Sequence, residues 1–233
     1  MTDGGRAVGF IGLLFSRRFI GQREEKFCNL TSWIVEEKWR TKSLSLLFPI
    51  FSLKGYTITV FTASDITRSV LKGFGYRCAV SKRGLIPAFP VGPSVGGRFS
   101  LSFGEDAKDR LDERDLKIYS DHLKFKSLNV VIESGNSPCY IVLKRSVRKA
   151  LPFAQVHYVG NPDIFSKYIA SAAAGICSRF KVLGLIVDER CLKGRGLPRS
   201  IPLRPTGPIL YKSDSLREHN IDTLYSEMFV LEM

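Results

Sequence analysis

The stretch between residues 27 and 61 constrains the fold of this chain more than any other feature. Phe27 to Val35 is rich in apolar and β-branched residues, which predicts a strand, and Tyr56 to Phe61 predicts a second strand. Apolar residues at helical spacing predict a helix from about Ser43 to Ser52, which Pro49 would bend or shorten. This order of elements predicts an α/β fold with a mixed sheet.

The polar segment between the first strand and the helix has the features of an anion site. Arg40 and Lys42 place positive charge just before Ser43, which is the predicted N-cap of the helix. The first turn of a helix presents free N–H groups and a partial positive charge, so it binds phosphate well. The arrangement therefore predicts a site for a nucleotide-like cofactor that needs no side-chain catalyst.

The net charge also favours an anionic partner. The chain has 35 Lys and Arg against 22 Asp and Glu, a net charge of +13. Nucleic acid, a membrane surface or a phosphorylated cofactor would suit this charge, and a generally basic surface explains it as well. The basic segment from Arg190 to Arg217 lacks interleaved aromatic residues and a helix-turn-helix pattern, so nucleic acid is the less favoured partner.

Several other classes of site are disfavoured by the sequence. The five cysteines are scattered without CxxC spacing, which argues against a zinc site or a disulfide framework and favours a reducing compartment. The three histidines lie too far apart for a local ligand motif, so no metal is expected. The apolar run from Val8 to Phe15 is too short to span a membrane and lacks the pattern of a signal peptide. We therefore expect a cytoplasmic protein with no membrane span.

The second half repeats the order of the first half more loosely. Residues 84–104 are rich in Gly and Pro, including Gly92 to Gly97, and predict a linker. Beyond it, a strand over Ala154 to Val159, a helix from Asn161 to about Phe180 and a strand over Val182 to Val187 follow one another. We interpret this as a degenerate internal repeat, with a first half at 1–83, a linker at 84–104 and a second half at 105–233.

The segment from Asn29 to Ser45 resembles the acyl-CoA-binding motif of the GNAT superfamily of N-acyltransferases. Val35 and Arg40 match the motif, while Ser43 and Ser45 stand where the family usually has glycines. The resemblance covers roughly residues 3–80 and implies a GNAT-like fold, present here as a tandem degenerate repeat.

The resemblance also implies a cofactor and the residues that hold it. Acetyl-CoA or another acyl-CoA would be the co-substrate, with no metal. Ile34 and Val35 would line the pantetheine groove. The residues expected to hold the pyrophosphate, through backbone amides, are Arg40, Thr41, Lys42, Ser43, Leu44 and Ser45.

The sequence departs from the family pattern in three ways. The chain begins after the strand and two helices that normally open the fold, which suggests an N-terminal truncation and an unpaired sheet edge. Leu71 stands where a helix tyrosine often serves as general acid. The strand over Phe27 to Val35 contains no carboxylate, so Glu36 and Ser32 are only weak catalytic candidates, and each has an ordinary surface or strand interpretation.

Two functions from different classes follow. The chain is either an N-acyltransferase, in which an amine attacks the thioester directly, or a catalytically inactive GNAT-like binding protein or fragment. A nucleic-acid-binding protein is the less favoured third interpretation. The acceptor amine stays open, and the unpaired sheet edge predicts a homodimer.

Overall fold

The computed structural model describes residues 1–89, 97–205 and 207–231. The chain forms two compact units, one made of Met1–Ala79 with Gly207–Met233 and the other of Val80–Thr206. The two units are described separately below as unit 1 and unit 2.

The elements alternate between strands and helices along most of the chain. The strands are β1 (Thr2–Asp3), β2 (Arg6–Ala7), β3 (Gly9–Ile20), β4 (Arg23–Val35), β5 (Tyr56–Val60), β6 (Arg77–Ala79), β7 (Arg83–Pro87), β8 (Ser100–Phe103), β9 (Leu128–Ser134), β10 (Ser137–Arg148), β11 (Leu151–Val159), β12 (Gly184–Asp188), β13 (Ile201–Leu203) and β14 (Ile209–Lys212). The helices are α1 (Phe48–Phe51), α2 (Asp65–Gly73), α3 (Glu105–Lys108), α4 (Glu113–His122), α5 (Pro162–Phe180) and α6 (Glu227–Val230). The 3-10 helices are Glu37–Leu47, Leu123–Phe125, Glu189–Leu192 and Glu218–Asn220.

Unit 1 is built on a sheet with the strand order β3-β4-β5-β14-β6. Strands β4 and β5 are parallel, and every other neighbouring pair is antiparallel. Its central strands carry buried apolar residues, including Cys28 on β4 and Leu210 on β14, which pack with Leu47, Ile50 and Leu71 in one core. β3 is an outer strand of this sheet, and an unpaired outer strand can pair with a second chain. The predicted homodimer stays a prediction.

Unit 2 is built on a sheet with the strand order β13-β7-β12-β11-β10-β9-β8. The parallel pair β11 and β12 is joined by α5, whose first turn is capped by the side chain of Asn161 on the amide of Ile164. The apolar face of α5, including Phe165, Ile169 and Ile176, is fully buried against the sheet. This burial explains why the long helix forms where the sequence predicts it.

The two sheets share a five-strand pattern. β3-β4-β5-β14-β6 in unit 1 and β10-β11-β12-β7-β13 in unit 2 both run antiparallel, parallel, antiparallel and antiparallel. In each sheet the parallel pair is joined by a helical segment, and the fourth strand comes from a distant part of the sequence. The topology is compatible with the predicted internal repeat, whose origin as a degenerate duplication stays a prediction.

The units do not follow the predicted division at 83 and 104. Arg83–Pro87 and Ser100–Phe103 form β7 and β8, so the described parts of the predicted linker contain two strands of unit 2. The Gly- and Pro-rich stretch within it, at 90–96, lies outside the described residues. Ile209–Lys212, assigned from sequence to the second half, belongs to unit 1 because it pairs with β5 and β6. These pairings join residues far apart in sequence, which composition alone does not reveal.

The helix predicted from Ser43 to Ser52 is partly a 3-10 helix in the structure. A 3-10 helix over Glu37–Leu47 replaces the turn and the first part of that helix, and the α-helical part is limited to Phe48–Phe51. Pro49 lies in the first turn of α1, where its missing N–H costs no helical hydrogen bond. Ser43 therefore lies inside the 3-10 helix and is not an N-cap.

Neither a membrane-spanning helix nor a metal-binding cluster is present among the described residues. In the described part of the chain, no helix combines the length and apolar character needed to cross a membrane. The same residues contain no group of three or more His, Cys, Asp or Glu side chains placed to hold a metal ion.

Candidate functional site

The candidate site lies where the parallel strands of unit 1 separate. Pairing between β4 and β5 runs from Lys26 opposite Tyr56 to Asn29 opposite Thr59, and β4 then continues to Val35 without β5 beside it. Separation of two neighbouring strands leaves backbone groups and one flank of β4 open to a ligand. We call this point the fork.

Asn29 holds the two strands together at the fork. Its side-chain amide is buried and donates to the carbonyl of Thr59 at 3.1 Å and to the Thr59 hydroxyl at 3.3 Å. Its side-chain oxygen accepts from the backbone N–H of Glu227 at 3.0 Å, which brings the C-terminal segment to the same place. A fully paired buried amide fixes the position where the strands diverge.

Two adjoining cavities open from the fork, and they share Trp33, Ile34 and Thr67. The inner cavity, of about 360 Å³, is lined by Ile11, Leu30, Thr31, Ser32, Trp33, Ile34, Val60, Thr62, Ala63, Ser64, Thr67, Leu71, Glu227 and Leu231. The outer cavity, of about 550 Å³, is lined by Trp33, Ile34, Val35, Arg40, Thr41, Ser43, Leu44, Ile66, Thr67 and Val70. Each cavity has the size that small-molecule sites usually have, and the shared residues place the two side by side.

A β-bulge in β4 shapes the wall of the inner cavity. The register with β3 skips between Phe10 opposite Ile34 and Gly12 opposite Thr31, so Ser32 and Trp33 together stand opposite Ile11. Ser32 also has a φ of 51°, which lies in the left-handed region that side chains other than glycine rarely adopt. Backbone strain of this kind costs about 1–3 kcal/mol and concentrates at functional sites.

Gly12 makes room for this bulge. A Cβ atom at Gly12 would lie 2.8 Å from Cγ2 and 3.1 Å from the carbonyl oxygen of Thr31. We expect Gly12→Ala to destabilise the protein by about 1–3 kcal/mol, because the crowding would push the bulged strand out of place. Chemical denaturation would measure the change. Gly73→Ala is the control, since its added Cβ would meet no atom within 4 Å, and an equal loss of stability in both variants would contradict the explanation.

The inner cavity contains a buried carboxylate that the sequence did not single out. Glu227, the first residue of α6, is 1% exposed, and its Oε1 accepts from the Thr62 hydroxyl at 3.0 Å. Among the described residues, its Oε2 has no hydrogen-bond partner. Burial raises the pKa of this carboxyl group, and the hydrogen bonds from its own backbone, Thr62 and Asn29 oppose that rise. A buried acid with one free oxygen beside a cavity is a candidate for proton transfer.

The indole of Trp33 is a second unsatisfied group in the cleft. Trp33 lines both cavities, and its Nε1–H is buried without a hydrogen-bond partner among the described residues. Such a donor is costly to bury unpaired, so it is suited to bind an acceptor atom of a ligand at the junction of the cavities.

Comparison with solved structures identifies the type of fold. A GCN5-related N-acetyltransferase from Anabaena variabilis superposes with a TM-score of 0.59 at 9% identity, over 90% of this chain and 61% of that chain. This chain has a GNAT acyltransferase fold. A GCN5-related N-acetyltransferase from Kribbella flavida gives a TM-score of 0.55 at 13% identity, over 89% of this chain and 57% of that chain. The chain therefore spans less than two thirds of either of these proteins.

A third structure supports the same GNAT fold. A putative acetyltransferase from Pyrococcus horikoshii gives a TM-score of 0.51 at 11% identity, over 95% of this chain and 74% of that chain. No protein-family model matches the sequence, and no curated protein matches it. The structures thus confirm the predicted mixed α/β fold of GNAT type, and they do so at a sequence identity that shows the fold alone.

The GNAT fold brings most of the predicted cofactor residues to one cavity. The outer cavity is lined by six of them, namely Ile34, Val35, Arg40, Thr41, Ser43 and Leu44. The other two lie on the same 3-10 helix without contributing to the described lining. Of these, Lys42 places its ammonium 4.9 Å from the centre of the Trp39 ring, and the hydroxyl of Ser45 donates to the carbonyl of Lys42 at 2.8 Å.

The backbone amides of Arg40 to Ser45 are not arranged as the sequence predicts. In a 3-10 helix, each N–H bonds to the carbonyl three residues earlier, so these amides belong to the ladder of Glu37–Leu47. Positive charge at this place therefore comes from side chains. The guanidinium of Arg40 is 70% exposed and lies 3.8 Å from the carboxylate of Glu37, which leaves it free to turn toward an anion.

The two weak catalytic candidates differ in position. Ser32 lines the inner cavity, where its hydroxyl is 3.3 Å from that of Thr31. Glu36 does not line either cavity in the described residues and forms an ion pair with Arg6 instead. Leu71 is fully buried in the core and reaches the wall of the inner cavity, where it offers no group for proton transfer.

The corresponding fork in unit 2 is filled by the protein. Pairing of β11 with β12 ends at Gln155, and the next carbonyl, that of Val156, accepts from the thiol of Cys191 at 3.5 Å. Leu192, beside Cys191, is fully buried. His157 is also buried there, which lowers its pKa to about 3 and keeps the ring neutral. In unit 2, the side chain of Cys191 thus packs against β11 just after its pairing with β12 ends, whereas in unit 1 the two cavities open at the corresponding point.

Proposed function

We propose that this chain is an acyl-CoA-dependent N-acyltransferase that transfers an acyl group from CoA to an amine by direct attack on the thioester. The observation that carries the proposal is the open fork of unit 1, where β4 leaves β5 after Asn29 and a bulge at Ser32 faces a cavity. The GNAT fold provides the setting, and the sequence resemblance over Asn29 to Ser45 falls on this fork.

The outer cavity would hold the nucleotide end of acyl-CoA. Arg40 on its rim would form charge-assisted hydrogen bonds with the pyrophosphate, and the neighbouring Lys42 would add charge from the same helix. The hydroxyl groups of Thr41 and Ser43 would donate further hydrogen bonds, which compensates for the absence of the usual glycines. Recognition would therefore rely on side chains more than on backbone amides.

The thioester would lie at the junction of the cavities. Ile34 and Val35 would line the pantetheine arm, and the unpaired indole N–H of Trp33 would donate to one of its carbonyls. Backbone N–H groups at the Ser32 bulge would stabilise the oxyanion that forms when the amine attacks. Holding the two reactants side by side supplies most of the remaining rate enhancement.

Replacement of Arg40 tests the cofactor assignment. We expect acetyl-CoA to raise the melting temperature of the wild-type protein, and we expect Arg40→Ala to weaken binding by about 10-fold or more, because a charge-assisted hydrogen bond is lost. Arg23→Ala removes the same charge from the exposed start of β4, outside both cavities, and should bind as the wild type does. A longer acyl-CoA measured in parallel would report the preferred chain length.

No stabilisation of the wild type by any acyl-CoA at saturation would contradict the proposal. Equal affinity of Arg40→Ala and the wild type would contradict the placement of the pyrophosphate.

A binding protein without catalysis is the second candidate, and Leu71 favours it. At this position the GNAT resemblance implies a tyrosine as general acid, and the buried leucine cannot donate a proton. Such a protein would bind acyl-CoA with the same dependence on Arg40 and would transfer no acyl group to any amine. Measurement of free thiol release in the presence of amines separates the two candidates.

A further inference from the structure

The first residue of β7 is a buried arginine whose hydrogen-bonding groups are not all satisfied. Arg83 is 4% exposed, and its Nε and Nη2 atoms are buried without a hydrogen-bond partner among the described residues. From this unpaired guanidinium we infer that Arg83 binds the phosphate group of a small ligand. The site lies in unit 2 and does not depend on the proposed acyltransferase function.

The two unpaired nitrogen atoms of Arg83 form one binding edge. The Nε–H bond and one N–H bond of Nη2 point in parallel from the same side of a guanidinium group, where they match two oxygen atoms of a phosphate or a carboxylate. Arg190 uses the same two atoms in this way, because its Nε donates to Oδ1 of Asp188 at 2.8 Å and its Nη2 donates to Oδ2. Arg83 therefore presents an equivalent fork without an acceptor.

Asp188 does not serve as the acceptor for this fork. Arg83 and Asp188 stand opposite each other in the antiparallel pairing of β7 with β12, so their side chains lie on the same face of the sheet. Both carboxylate oxygens of Asp188 are already engaged by the Arg190 side chain, and Oδ1 also accepts from the Ser81 hydroxyl and from the backbone N–H of Arg190 at 3.0 Å. An acceptor for Arg83 therefore has to come from outside this group of residues.

The charges around Arg83 favour a ligand with two negative charges. Burial lowers the pKa of Arg83, the positive charges of Arg148 and Arg190 act in the same direction, and the negative charge of Asp188 opposes them. These three arginines thus exceed the one aspartate by two positive charges. A phosphate monoester carries about −1.5 to −2 charges at neutral pH and would offset most of this excess, whereas a carboxylate would offset only half of it.

The position of Arg83 in the sheet leaves a short path for a small anion. Within the sheet, β13 is the outer strand and the one that separates β7 from the edge. It is three residues long, with Leu203 opposite Arg83, and its residues are exposed or half-buried. A small anion can approach the guanidinium from this edge, and the burial of the two nitrogen atoms excludes a bulky group at the fork itself.

A purely structural role for Arg83 would have the opposite effect on stability. A buried charge with unpaired N–H groups costs free energy unless a ligand supplies the missing acceptor. We therefore expect Arg83→Met, which keeps an unbranched apolar stem, to be at least as stable as the wild type when no phosphate is present. If the guanidinium instead held unit 2 together, its removal would lower the melting temperature.

Thermal shift with inorganic phosphate tests the inference, with acetate as the singly charged comparison and with the ionic strength held constant. We expect phosphate to raise the melting temperature of the wild type more than acetate does, and Arg83→Met to weaken phosphate binding by about 10-fold or more. Arg83→Lys keeps the charge without the fork and should give an intermediate loss. Arg98→Met is the control, because it removes an exposed positive charge from unit 2 and should bind phosphate as the wild type does.

Four results would overturn the inference. They are no binding of phosphate by the wild type, equal phosphate affinity in Arg83→Met, acetate binding as tight as that of phosphate, and a lower melting temperature of Arg83→Met without phosphate. Acetyl-CoA separates this site from the proposed function, since Arg83 lines neither cavity of unit 1 in the described residues and Arg83→Met should bind acetyl-CoA normally. A parallel loss of acetyl-CoA binding would mean that Arg83 has no ligand of its own.

Discussion

Replacement of Thr67 with tryptophan is expected to weaken acyl-CoA binding strongly while leaving the protein folded. Thr67 lies on α2 and lines both the inner and the outer cavity, so an indole at this position would fill the junction that a bound ligand must cross. Crowding of a packed site costs about 1–3 kcal/mol, and each 1.4 kcal/mol is a factor of about ten, so affinity should fall by roughly 5-fold to 140-fold. Isothermal titration with acetyl-CoA would measure the loss.

The same helix offers a matched control. Ser69 is exposed on α2 and does not line either cavity in the described residues, so Ser69→Trp should leave the affinity unchanged. The cap of α2 survives in the Thr67 variant, because the bond from residue 67 to the Ser64 hydroxyl uses the backbone N–H. A cooperatively folded Thr67→Trp that binds acetyl-CoA with wild-type affinity would show that the cleft is not the binding site.

Sequence patterns correctly predicted the strands that surround the candidate site. The predicted strand over Phe27 to Val35 lies within β4, and the strand predicted for Tyr56 to Phe61 matches β5 within one residue. Helix α2 follows Ser64, whose hydroxyl accepts from the backbone N–H of Thr67 as an N-cap. These elements depend on side-chain periodicity and on caps, and both are properties of a few neighbouring residues that can be read without knowledge of the fold.

Features that depend on distant parts of the chain were not accessible in this way. Glu227 reaches the fork because Asn29 bonds to its backbone, and nothing in the sequence around Glu227 marks it as different from other surface acids. The strand over Ile209–Lys212 likewise reads as part of a basic, Pro-rich segment until its pairing with β5 is known. A carboxylate within Phe27 to Val35 was the sequence criterion for a base, whereas the carboxylate that lines the inner cavity comes from a distant part of the chain.

The predicted start of the helix at Ser43 was wrong. Ser43 has the properties of an N-cap, yet the 3-10 helix begins at Glu37, so the serine lies within it. The prediction that the amides of residues 40–45 bind pyrophosphate depended on that cap. The side chains of Arg40, Thr41 and Ser43 nevertheless line the outer cavity, because the same helix still turns them toward it. The predicted cofactor site therefore stays a prediction, now attached to these side chains and not to the backbone amides.

The largest loss of stability is expected from Asp188→Asn in unit 2. Asp188 ends β12, is buried, and accepts from the Arg190 side chain, including Nε at 2.8 Å, and from the Ser81 hydroxyl. Opposite it on β7, the buried guanidinium of Arg83 has two nitrogen atoms without hydrogen-bond partners among the described residues. Removal of the negative charge would leave these buried arginines uncompensated, which costs about 3–5 kcal/mol. Urea denaturation followed by circular dichroism would measure this change.

The pH dependence of the same variant distinguishes a charge effect from a packing effect. Burial alone would raise the pKa of Asp188, but the hydrogen bonds and charge of Arg190 and the Ser81 hydroxyl outweigh it, so the pKa is lowered in the folded protein. An acid with a lowered folded pKa adds stability that is complete above its unfolded pKa of about 3.9 and is lost as the pH falls through the folded value. The difference between the wild type and Asp188→Asn should therefore be full at neutral pH and shrink in acid.

Asp163→Asn is the control for this experiment. Asp163 forms an ion pair with Arg195, with Nε and Oδ1 2.7 Å apart, but both side chains are largely exposed. Solvent screens such a pair, so we expect no measurable change in the urea midpoint. The contrast depends on burial, since both aspartates bind an arginine and both lose the same charge. An equal shift in the two variants, or an Asp188→Asn deficit that persists unchanged in acid, would mean that the buried charge does not stabilise unit 2.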